Sequence, residues 1–405
     1  MVPSKNQQIL LIIPNLGMGG AQRSFVKLAD WLSEDYSINI VTFDNSFENV
    51  YPVKAPIHYL GKASNQDIRN KIFNFRRRIK KLRQLKMELK PAVCISFLEG
   101  ADYLNILSDT GEKKIISIRG SKKYDPHIEG IAGFVRRKIL IPLLYKKADK
   151  IVTASLGLQK EIAETYPALK RNLVTIPNGY SLRTTVQPKS HHSYFILGWA
   201  GRFGDEKGLL DFIEVFNECY DRDASFRMLL IGKGPLQSDI KAYFSAKGKT
   251  CNVLSRVPEK ADFAAADVVI CDPGESYEQA LSLSDLFLLT SPSEGFPNVL
   301  VEAMNLGIAA VSTDCKWGPR EILAPELDYF TRLDYPHYGS CGILLPLLSG
   351  NETGKKQWVE TILFLKNNPD VVKDFAHKGF EGIQRFHQNI IKEEWLRLVE
   401  GFVKN

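Results

Sequence analysis

The sequence lacks the closely spaced cysteines that bind metals or cross-link small domains. Its six cysteines lie far apart and form no C-x-x-C pair: Cys94, Cys219, Cys251, Cys271, Cys315 and Cys341. Zinc-binding modules and disulfide-rich secreted domains need such spacing, so the cysteines argue against both classes. Scattered single cysteines are typical of a protein that works in the reducing cytoplasm.

The sequence also lacks a long apolar run. No stretch approaches the ~18 apolar residues that indicate a membrane-spanning helix. The first apolar run, residues 9–13, follows a single basic residue, Lys5, and is too short for the core of a signal peptide. It is better interpreted as a buried strand. Any membrane association is therefore expected at the protein surface.

Length and composition indicate two globular domains. The chain has 405 residues, of which 44% are hydrophobic and 24% are charged. A single hydrophobic core seldom organises so long a chain, so two domains are expected. The proportions of apolar and charged residues are those of a soluble protein rather than a disordered or fibrous one.

Charge is unevenly distributed along the chain, although the net charge is only +7. Residues 1–185 contain 30 basic and 16 acidic residues, a net charge of +14. The remainder contains 23 basic and 30 acidic residues, a net charge of −7. The basic excess is concentrated in residues 69–90, with ten basic residues and one acidic residue, and continues at Arg136, Arg137, Lys138, Lys146, Lys147 and Lys150.

The basic segment 69–90 has two interpretations. Apolar residues are interleaved with its cations, at Ile72, Phe73, Phe75, Ile79, Leu82 and Leu85. This pattern predicts a helix that lies on an anionic membrane surface, and an ordinary solvated helix is the alternative. Nucleic acid is not expected as a partner, because no recognisable nucleic-acid-binding module accompanies the charge.

Short aliphatic runs alternate with amphipathic stretches in both halves of the chain, which predicts parallel sheets covered by helices. Between the halves, residues 178–193 are rich in polar residues, glycine and proline, as in a linker. The predicted strands are 9–14, 38–43, 93–97, 115–118, 151–154, 195–200, 227–231, 268–271, 286–290 and 309–312. The expected fold is α/β, with doubly wound sheets in domains 1–185 and 194–383 and a closing helix in residues 384–405 that returns to the first domain.

A glycine-rich loop, residues 15–22 (NLGMGGAQ), joins the first predicted strand to the first helix. Its glycines allow close backbone approach, and the helix start presents unpaired amides to a phosphate or a sugar. The candidate contacts are Asn15, Gly17, Gly19 and Gly20. A dinucleotide-binding loop is the alternative, supported by Asp44 after the second strand, but Gln22 replaces the third glycine of G-x-G-x-x-G.

A second loop, residues 201–208 (GRFGDEKG), places Arg202 and Lys207 where a strand of the second domain meets its helix. A guanidinium and an ammonium together can hold a diphosphate and stabilise the charge that grows on it as a leaving group. A solvated loop with an ion pair at the helix start is the alternative.

The most informative stretch is residues 291–304 (SPSEGFPNVLVEAM), which follows a predicted strand. Pro297 is expected in the first helical turn, with Glu294 in the loop before the helix and Glu302 inside it. The amides at the helix start are then available to an anion. An acid on an apolar helix needs a polar partner, which is either a set of ligand hydroxyls or the protein framework.

These segments resemble, in their order, the family 4 glycosyltransferases of the GT-B fold, and the resemblance spans nearly the whole chain. Residues 230–235 (LIGKGP) and 318–322 (GPREI) also fit the pattern. Each motif is weak by itself, but the ordered set is specific. The resemblance implies two Rossmann-like domains that face a central cleft, and retaining transfer from a nucleotide sugar with no metal or other cofactor.

The resemblance also implies roles for individual residues. Arg202 and Lys207 are assigned to the donor diphosphate and, with Glu294 on the hydroxyls of the transferred sugar, to catalysis. Glu302 is assigned to the nucleotide ribose. Further donor contacts are expected from Gly17, Gly19, Gly20, Gly232, Lys233, Arg256, Val257, Gly295, Phe296, Pro297 and Asn298. Acceptor contacts are expected from Asn15 and Arg119.

The chain departs from the family pattern in several places. Relatives that act on bacterial surface glycans have Ser-Glu-Arg-Asn where this chain has residues 117–120 (SIRG), so Arg119 is kept and its acidic neighbour is lost. Residues 261–284 and 328–340 are longer or more irregular than usual. No histidine of the first domain matches the sugar-contacting histidine of some relatives, and His127 is the nearest.

The sequence therefore predicts a peripheral enzyme at the cytoplasmic face of a membrane. It is expected to move a hexose or N-acetylhexosamine from a UDP-sugar to a lipid-linked or cell-surface saccharide, in polysaccharide, capsule or lipopolysaccharide biosynthesis. Two alternatives remain open. One is a UDP-sugar 2-epimerase of the same fold, and the other is a catalytically silent subunit of a glycosylation complex.

Overall fold

The computed structural model describes residues 7–43, 51–61, 68–123, 130–186, 193–329 and 333–403. The chain divides into two compact units: unit 1 is Met1–Tyr180 with Phe386–Asn405, and unit 2 is Ser181–Arg385. Asp44 and His127, which the sequence singled out, lie outside the described residues. None of the helices in the described ranges combines the length and apolar character of a membrane-spanning segment.

Unit 1 is built on a parallel sheet. Its strands are β1 (Gln8–Ile12), β2 (Ser37–Thr42), β3 (Ile57–Tyr59), β4 (Val93–Phe97), β5 (Lys113–Ile118), β6 (Lys150–Thr153) and β7 (Leu173–Thr175). In the described residues they lie in the order β3-β2-β1-β4-β5-β6-β7. Side chains alternate between the two faces, so Ile9 and Leu11 enter one core and Leu10 and Ile12 the other.

Helices cover both faces of this sheet. They are α1 (Gly20–Leu32), α2 (Ile68–Leu89), α3 (Glu99–Leu107), α4 (Gly130–Val135), α5 (Ile141–Leu144) and α6 (Leu156–Thr165). A π-helical segment, Arg136–Leu140, joins α4 to α5, and a 3-10 turn, Tyr145–Lys147, follows. Residues of α1 pack on one face, and residues of α2, α3 and α5 pack on the other.

The structure places most of the apolar residues named in the basic segment in the core of unit 1. Four of the apolar residues assigned to a membrane surface pack into this core: Phe75, Ile79, Leu82 and Leu85. Lys86, counted among the cations, is also buried, and its ammonium donates to Glu112 Oε1 at 2.6 Å. The prediction that these four side chains face a membrane was wrong, because they cover the sheet. The exposed side of α2 is mainly basic, although Phe73 and Met87 are also exposed there.

Unit 2 contains a second, larger sheet. Its strands are β8 (Phe195–Ala200), β9 (Phe226–Ile231), β10 (Cys251–Leu254), β11 (Val268–Cys271), β12 (Leu286–Leu289), β13 (Ala309–Thr313), β14 (His337–Tyr338) and β15 (Ile343–Leu345). Their order in the described residues is β10-β11-β9-β8-β12-β13-β15-β14, and only the β14–β15 pair among them is antiparallel. The chain order reverses between β8 and β12, which is the switch point where open α/β sheets bind ligands.

Helices also flank this sheet. They are α7 (Leu209–Arg222), α8 (Gln237–Ala246), α9 (Lys260–Ala265), α10 (Tyr277–Leu281), α11 (Asn298–Asn305), α12 (Pro319–Leu323), α13 (Glu352–Asn367) and α14 (Pro369–Gly382). Trp199 of β8, Phe212 of α7 and Trp358 of α13 are buried in one core. Residues 261–284, irregular in sequence, contain most of α9, together with β11 and α10.

The last helix, α15 (Gln388–Val403), belongs to unit 1. Ile391, Trp395 and Val399 enter the same core as β1 and β4. The ring of Trp395 stacks on Phe97, with 6.1 Å between the ring centroids. The core of unit 1 is therefore built from two segments that are distant in sequence.

Candidate functional site

The loops that follow β8 and β12 bring Lys207 and Glu294 together. Lys207 Nζ donates to Glu294 Oε1 at 2.8 Å. The negative charge of Glu294 raises the pKa of Lys207 and outweighs burial, which acts in the opposite direction. The Lys207 ammonium therefore stays charged at neutral pH, and the pair lies beside the switch point of unit 2.

Gly208 allows the two loops to approach this closely. Its φ is +63°, in the left-handed region, and a Cβ on it would lie 2.2 Å from the carbonyl oxygen of Thr290. Only glycine avoids both the strain of this backbone conformation and the collision with Thr290. Thr290 Oγ1 donates to Gly208 O at 2.8 Å, and Trp199 Nε1 donates to Thr290 Oγ1 at 3.2 Å. These contacts fix the backbone on both sides of the switch point.

Arg202 pairs with a different residue from the one that binds Lys207. Its side chain is 69% exposed, and its guanidinium lies 3.9 Å from Glu206, one helical turn along the chain. So exposed a pair contributes little, and a ligand can replace it at low cost. No group of three His, Cys, Asp or Glu side chains in the described part of the chain is arranged to hold a metal ion.

The loop after β9 lies against the loop that carries Arg202. Gly232 has φ +131°, and a Cβ there would lie 2.1 Å from the carbonyl oxygen of Gly201. The Phe203 N–H donates to Lys233 O at 3.0 Å. The side chain of Lys233 itself pairs with exposed Asp272 at 2.8 Å. Gly232 and Lys233 thus support the Arg202 loop through their backbone.

The helix of the 291–304 segment begins directly after Pro297. α11 starts at Asn298, and Pro297 precedes it as the N-cap with ψ 97°. The prediction that placed Pro297 in the first turn was wrong, because its φ of −74° suits a helix but its ψ is extended. Glu302 lies within α11 and is buried.

Glu294 is fixed through its backbone as well as its side chain. Its N–H donates to Lys316 O at 2.8 Å, and its carbonyl accepts from Trp317 N–H at 2.9 Å. Gly318, with φ +97°, follows directly, and a Cβ there would lie 2.6 Å from Pro297 Cδ and 3.1 Å from Phe296 Cα. The start of the 318–322 segment therefore packs directly against the backbone of residues 294–297.

Arg320 anchors the 318–322 segment to neighbouring residues of the chain. The sequence did not reveal this role. Its guanidinium donates to both carboxylate oxygens of Asp314 at 2.5 Å and to Asp328 O at 2.5 Å. All three groups lie within one short stretch of chain. The signal available in the sequence was the family motif at 318–322, which does not include Asp314.

Arg256 and Val257 hold a turn at the start of α9. The Arg256 guanidinium donates to both oxygens of Asp262, at 2.8 and 2.9 Å, and to Val257 O at 3.0 Å. Asp262 also accepts from the Glu259 N–H, which completes a capping box. These hydrogen bonds give Arg256 a structural role of its own.

In unit 1 the glycine-rich loop closes on itself. Asn15 Oδ1 accepts from the Gly17 N–H at 3.1 Å and from Gln22 Nε2 at 3.3 Å. A Cβ on Gly19 would lie 2.3 Å from Gln22 Oε1, and α1 begins at Gly20. Asn15 is therefore a loop organiser as well as a candidate for ligand contact.

Arg119 follows β5 at the same edge of the sheet as this loop. Its guanidinium lies 4.3 Å from the ring centroid of Phe97, and Nη1 donates to Asn178 Oδ1 at 2.9 Å. Burial lowers the pKa of Arg119 to about 9, so the side chain remains charged at neutral pH. Its Nε is buried and has no hydrogen-bond partner among the described residues.

Glu99, at the start of α3, was not singled out from the sequence. Its carboxylate accepts two hydrogen bonds from Arg136 at 2.6 Å, one from Lys122 at 2.9 Å and one from Tyr103 at 2.6 Å. Burial acts to raise the pKa of Glu99, but these partners outweigh it and hold the pKa at about 2. The network ties α3 to the residues after β5.

Comparison with known proteins agrees with this architecture. Residues 194–333 match a family model described as glycosyl transferases group 1. The chain is 26% identical over 360 residues to an uncharacterized glycosyltransferase of Methanocaldococcus jannaschii. The alignment covers 82% of this chain and 84% of that protein. It is 22% identical over 404 residues to a Campylobacter jejuni protein, and the alignment covers 98% of this chain and 99% of that protein.

The Campylobacter relative is named GalNAc-alpha-(1->4)-GalNAc-alpha-(1->3)-diNAcBac-PP-undecaprenol alpha-1,4-N-acetyl-D-galactosaminyltransferase. Among solved structures, Anabaena HepE in complex with UDP matches with a TM-score of 0.68 and 14% identity. The match covers 98% of this chain and all of that one. These likenesses confirm the GT-B fold that was predicted from the sequence.

Proposed function

We propose that this chain, a glycosyltransferase of the GT-B fold, transfers a sugar from a UDP-sugar to a lipid-linked saccharide with retention of configuration. The product would enter a surface polysaccharide, capsule or lipopolysaccharide. The observation that carries the proposal is the pair of Lys207 and Glu294, 2.8 Å apart at the switch point of unit 2. Ligands of such sheets bind at this position.

The pair supplies two functions that transfer requires. The departing UDP carries a diphosphate, which the charged Lys207 and the exposed guanidinium of Arg202 can neutralise. Diphosphate oxygens would compete with Glu294 for the Lys207 ammonium. The Glu294 carboxylate would then accept hydrogen bonds from hydroxyls of the transferred sugar, which positions the anomeric carbon for attack.

The nucleoside is assigned to α11 and the loops beside it. Glu302 is a buried acid on this helix and can accept hydrogen bonds from ribose hydroxyls. Gly295, Phe296, Pro297 and Asn298 precede it, and their backbone is held by Gly318 and its neighbours. The structure of Anabaena HepE with UDP supports uridine diphosphate as the nucleotide.

The acceptor is assigned to the edge of the unit 1 sheet that carries Asn15 and Arg119. Arg119 is charged, and its Nε has no partner among the described residues, so it suits a polar or anionic acceptor group. The name of the Campylobacter relative specifies an undecaprenol diphosphate saccharide, which supports a lipid-linked acceptor. An enzyme with such an acceptor would act peripherally at the cytoplasmic face of a membrane.

The test is a turnover assay on the purified chain with a panel of UDP-hexoses and UDP-N-acetylhexosamines. Thermal shift first identifies the donor, because a ligand that binds only the folded state raises the melting temperature. We expect UDP release, slow with water and faster with a lipid-linked saccharide, and an axial anomeric bond in the product by NMR. An isomeric UDP-sugar without UDP release would indicate an epimerase, and no turnover with any donor would indicate a silent subunit.

A further inference from the structure

Unit 1 exposes an apolar surface that the proposed reaction does not use. It is formed by the helical segment 130–147, which comprises α4, the π-helical residues, α5 and the 3-10 turn. The exposed apolar side chains of the segment are Ile131, Phe134, Ile139, Leu140 and Leu143. Ile131, Phe134, Ile139 and Leu143 are called here the apolar stripe.

The π-helical residues align this stripe. Steps of three and four residues keep side chains on one face of an α-helix, whereas the five-residue step from Phe134 to Ile139 would leave that face. In a π-helix the hydrogen bonds span five residues, so this step makes about one turn. The opposite face has the same spacing and is buried: Gly133, Arg136, Ile141 and Tyr145.

The stripe exposes more apolar surface than scattered residues do. Ile131 is 86% exposed, Phe134 58% and Leu143 53%. Single exposed apolar residues are ordinary in soluble proteins, but several aligned on one helix mark an interaction surface. The surface is therefore built to contact something apolar.

The charge around the stripe identifies the partner. Residues 130–147 contain no acidic residue, and Lys138, Lys146 and Lys147 are exposed. Arg136 points inward to Glu99 instead. The basic outer side of α2 lies on the same face of the sheet, because α2 packs against α3 and α3 packs against α5. Apolar side chains flanked by lysines are typical of a helix at the surface of an anionic bilayer.

We propose that the apolar stripe inserts into an anionic phospholipid surface, with the three lysines at the level of the headgroups. The inference deepens the proposed function and rests on it for the acceptor, because it names the surface by which the enzyme reaches a lipid-linked saccharide. In this proposal residues 131–147 contact the membrane directly, and the cations of α2 add only long-range attraction to it.

The test is co-sedimentation of the full-length chain with vesicles of phosphatidylglycerol and phosphatidylcholine. The triple variant Ile131→Ser, Phe134→Ser, Leu143→Ser should lower the partition coefficient on the order of 100-fold, because it removes the inserting side chains. Ile390→Ser is the matched control, since Ile390 is 46% exposed on α15, on the opposite face of the sheet. The control should bind as the wild type does.

A second variant tests the charge. Lys138→Gln, Lys146→Gln and Lys147→Gln together should weaken binding on the order of 100-fold on anionic vesicles and change little on pure phosphatidylcholine. Phe134→Trp should show a blue-shifted emission when anionic vesicles are added. Equal sedimentation of the wild type and the serine variant, or binding indifferent to lipid charge, would overturn the proposal. So would a dimer of the wild type that the serine variant abolishes.

Donor hydrolysis in solution separates this inference from the proposed function. All variants should hydrolyse the donor at the wild-type rate, which also shows that they are folded. Hydrolysis without vesicle binding would overturn the membrane inference alone. Vesicle binding without turnover of any nucleotide sugar would overturn the proposed function alone.

Discussion

The Lys207 ammonium and the Glu294 carboxylate neutralise each other across the two loops that flank the switch point of unit 2. A diphosphate that binds Lys207 would compete with Glu294 for the donors of the ammonium. Glu294→Gln should therefore leave UDP affinity unchanged or slightly tighter, while it lowers kcat roughly 100-fold. Calorimetric titration of UDP and steady-state kinetics with the donor measure the two effects.

Glu302→Gln should behave in the opposite way. A charged hydrogen bond to the ribose contributes about 1.5–3 kcal/mol, so its loss should raise the donor KM at least ~10-fold with little change in kcat. Glu360→Gln, on the exposed side of α13, is the control and should match the wild type. Small and equal effects on both constants in both variants would contradict these roles.

Chelation should leave the initial rate of transfer unchanged. Lys207 and Arg202 are proposed to counter the diphosphate charge, so we expect no requirement for a metal ion there. Lys207→Met should lower kcat roughly 100-fold under the same conditions. A complete loss of activity with chelator that added magnesium or manganese restores would assign that charge to a metal.

Two glycines with similar backbone angles provide a matched test of loop packing. Gly208 and Gly248 have φ +63° and +68°, so Gly→Ala costs each about 1–2 kcal/mol of backbone strain. A Cβ on Gly208 would also collide with Thr290 O, whereas nothing lies within 4 Å of one on Gly248. Gly208→Ala should lose about 1–3 kcal/mol more unfolding free energy than Gly248→Ala. Equal losses in urea titration would contradict the contact.

The stability of unit 1 should depend on the ionisation of Asp102. Burial raises the pKa of Asp102 to about 7, and Ser96 Oγ and Tyr145 OH donate to its carboxylate. The folded state then binds the proton more tightly, so stability falls as the pH rises from about 4 to about 7 and is constant above. Asp102→Asn removes this dependence. The difference in melting temperature between variant and wild type should change over that range, and a constant difference would contradict the assignment.

The cations of α2 should strengthen vesicle binding only by long-range attraction. Replacing Arg76, Arg77, Arg78, Lys80 and Lys81 with Gln should weaken co-sedimentation at low salt, where each contributes on the order of 1 kcal/mol. Near 1 M salt, screening to ~3 Å should remove the difference between this variant and the wild type. A variant that fails to bind at any salt concentration would make α2 the primary contact.

The sequence predicted the buried strands well and the short or charged elements poorly. β4, β8 and β11 have the predicted bounds, because each is a short run of mostly apolar residues. β3, β7 and β14 have two or three residues each and no pattern to detect. In α2, ten basic residues in the 69–90 segment concealed an apolar face that belongs to the core.

In the candidate site, sequence motifs identified individual residues but not the contacts between them. Lys207 and Glu294 were named from motifs, but their direct contact depends on Gly208, and the roles assigned to them stay predictions. The network around Glu99 could not be predicted, because Lys122 and Arg136 are 23 and 37 residues away in sequence. Only the fold brings these three charges together.

The position of α15 in the core of unit 1 sets the order in which the nascent chain can fold. Phe97 and the apolar residues of β1 and β4 are translated early, but Trp395, which covers them, leaves the ribosome after all of unit 2. Unit 2 can therefore close its core first, although a chain usually folds from its N-terminal domain onward. Until then, the first half of unit 1 leaves an apolar surface uncovered, and uncovered apolar surface of this kind promotes aggregation of a nascent chain.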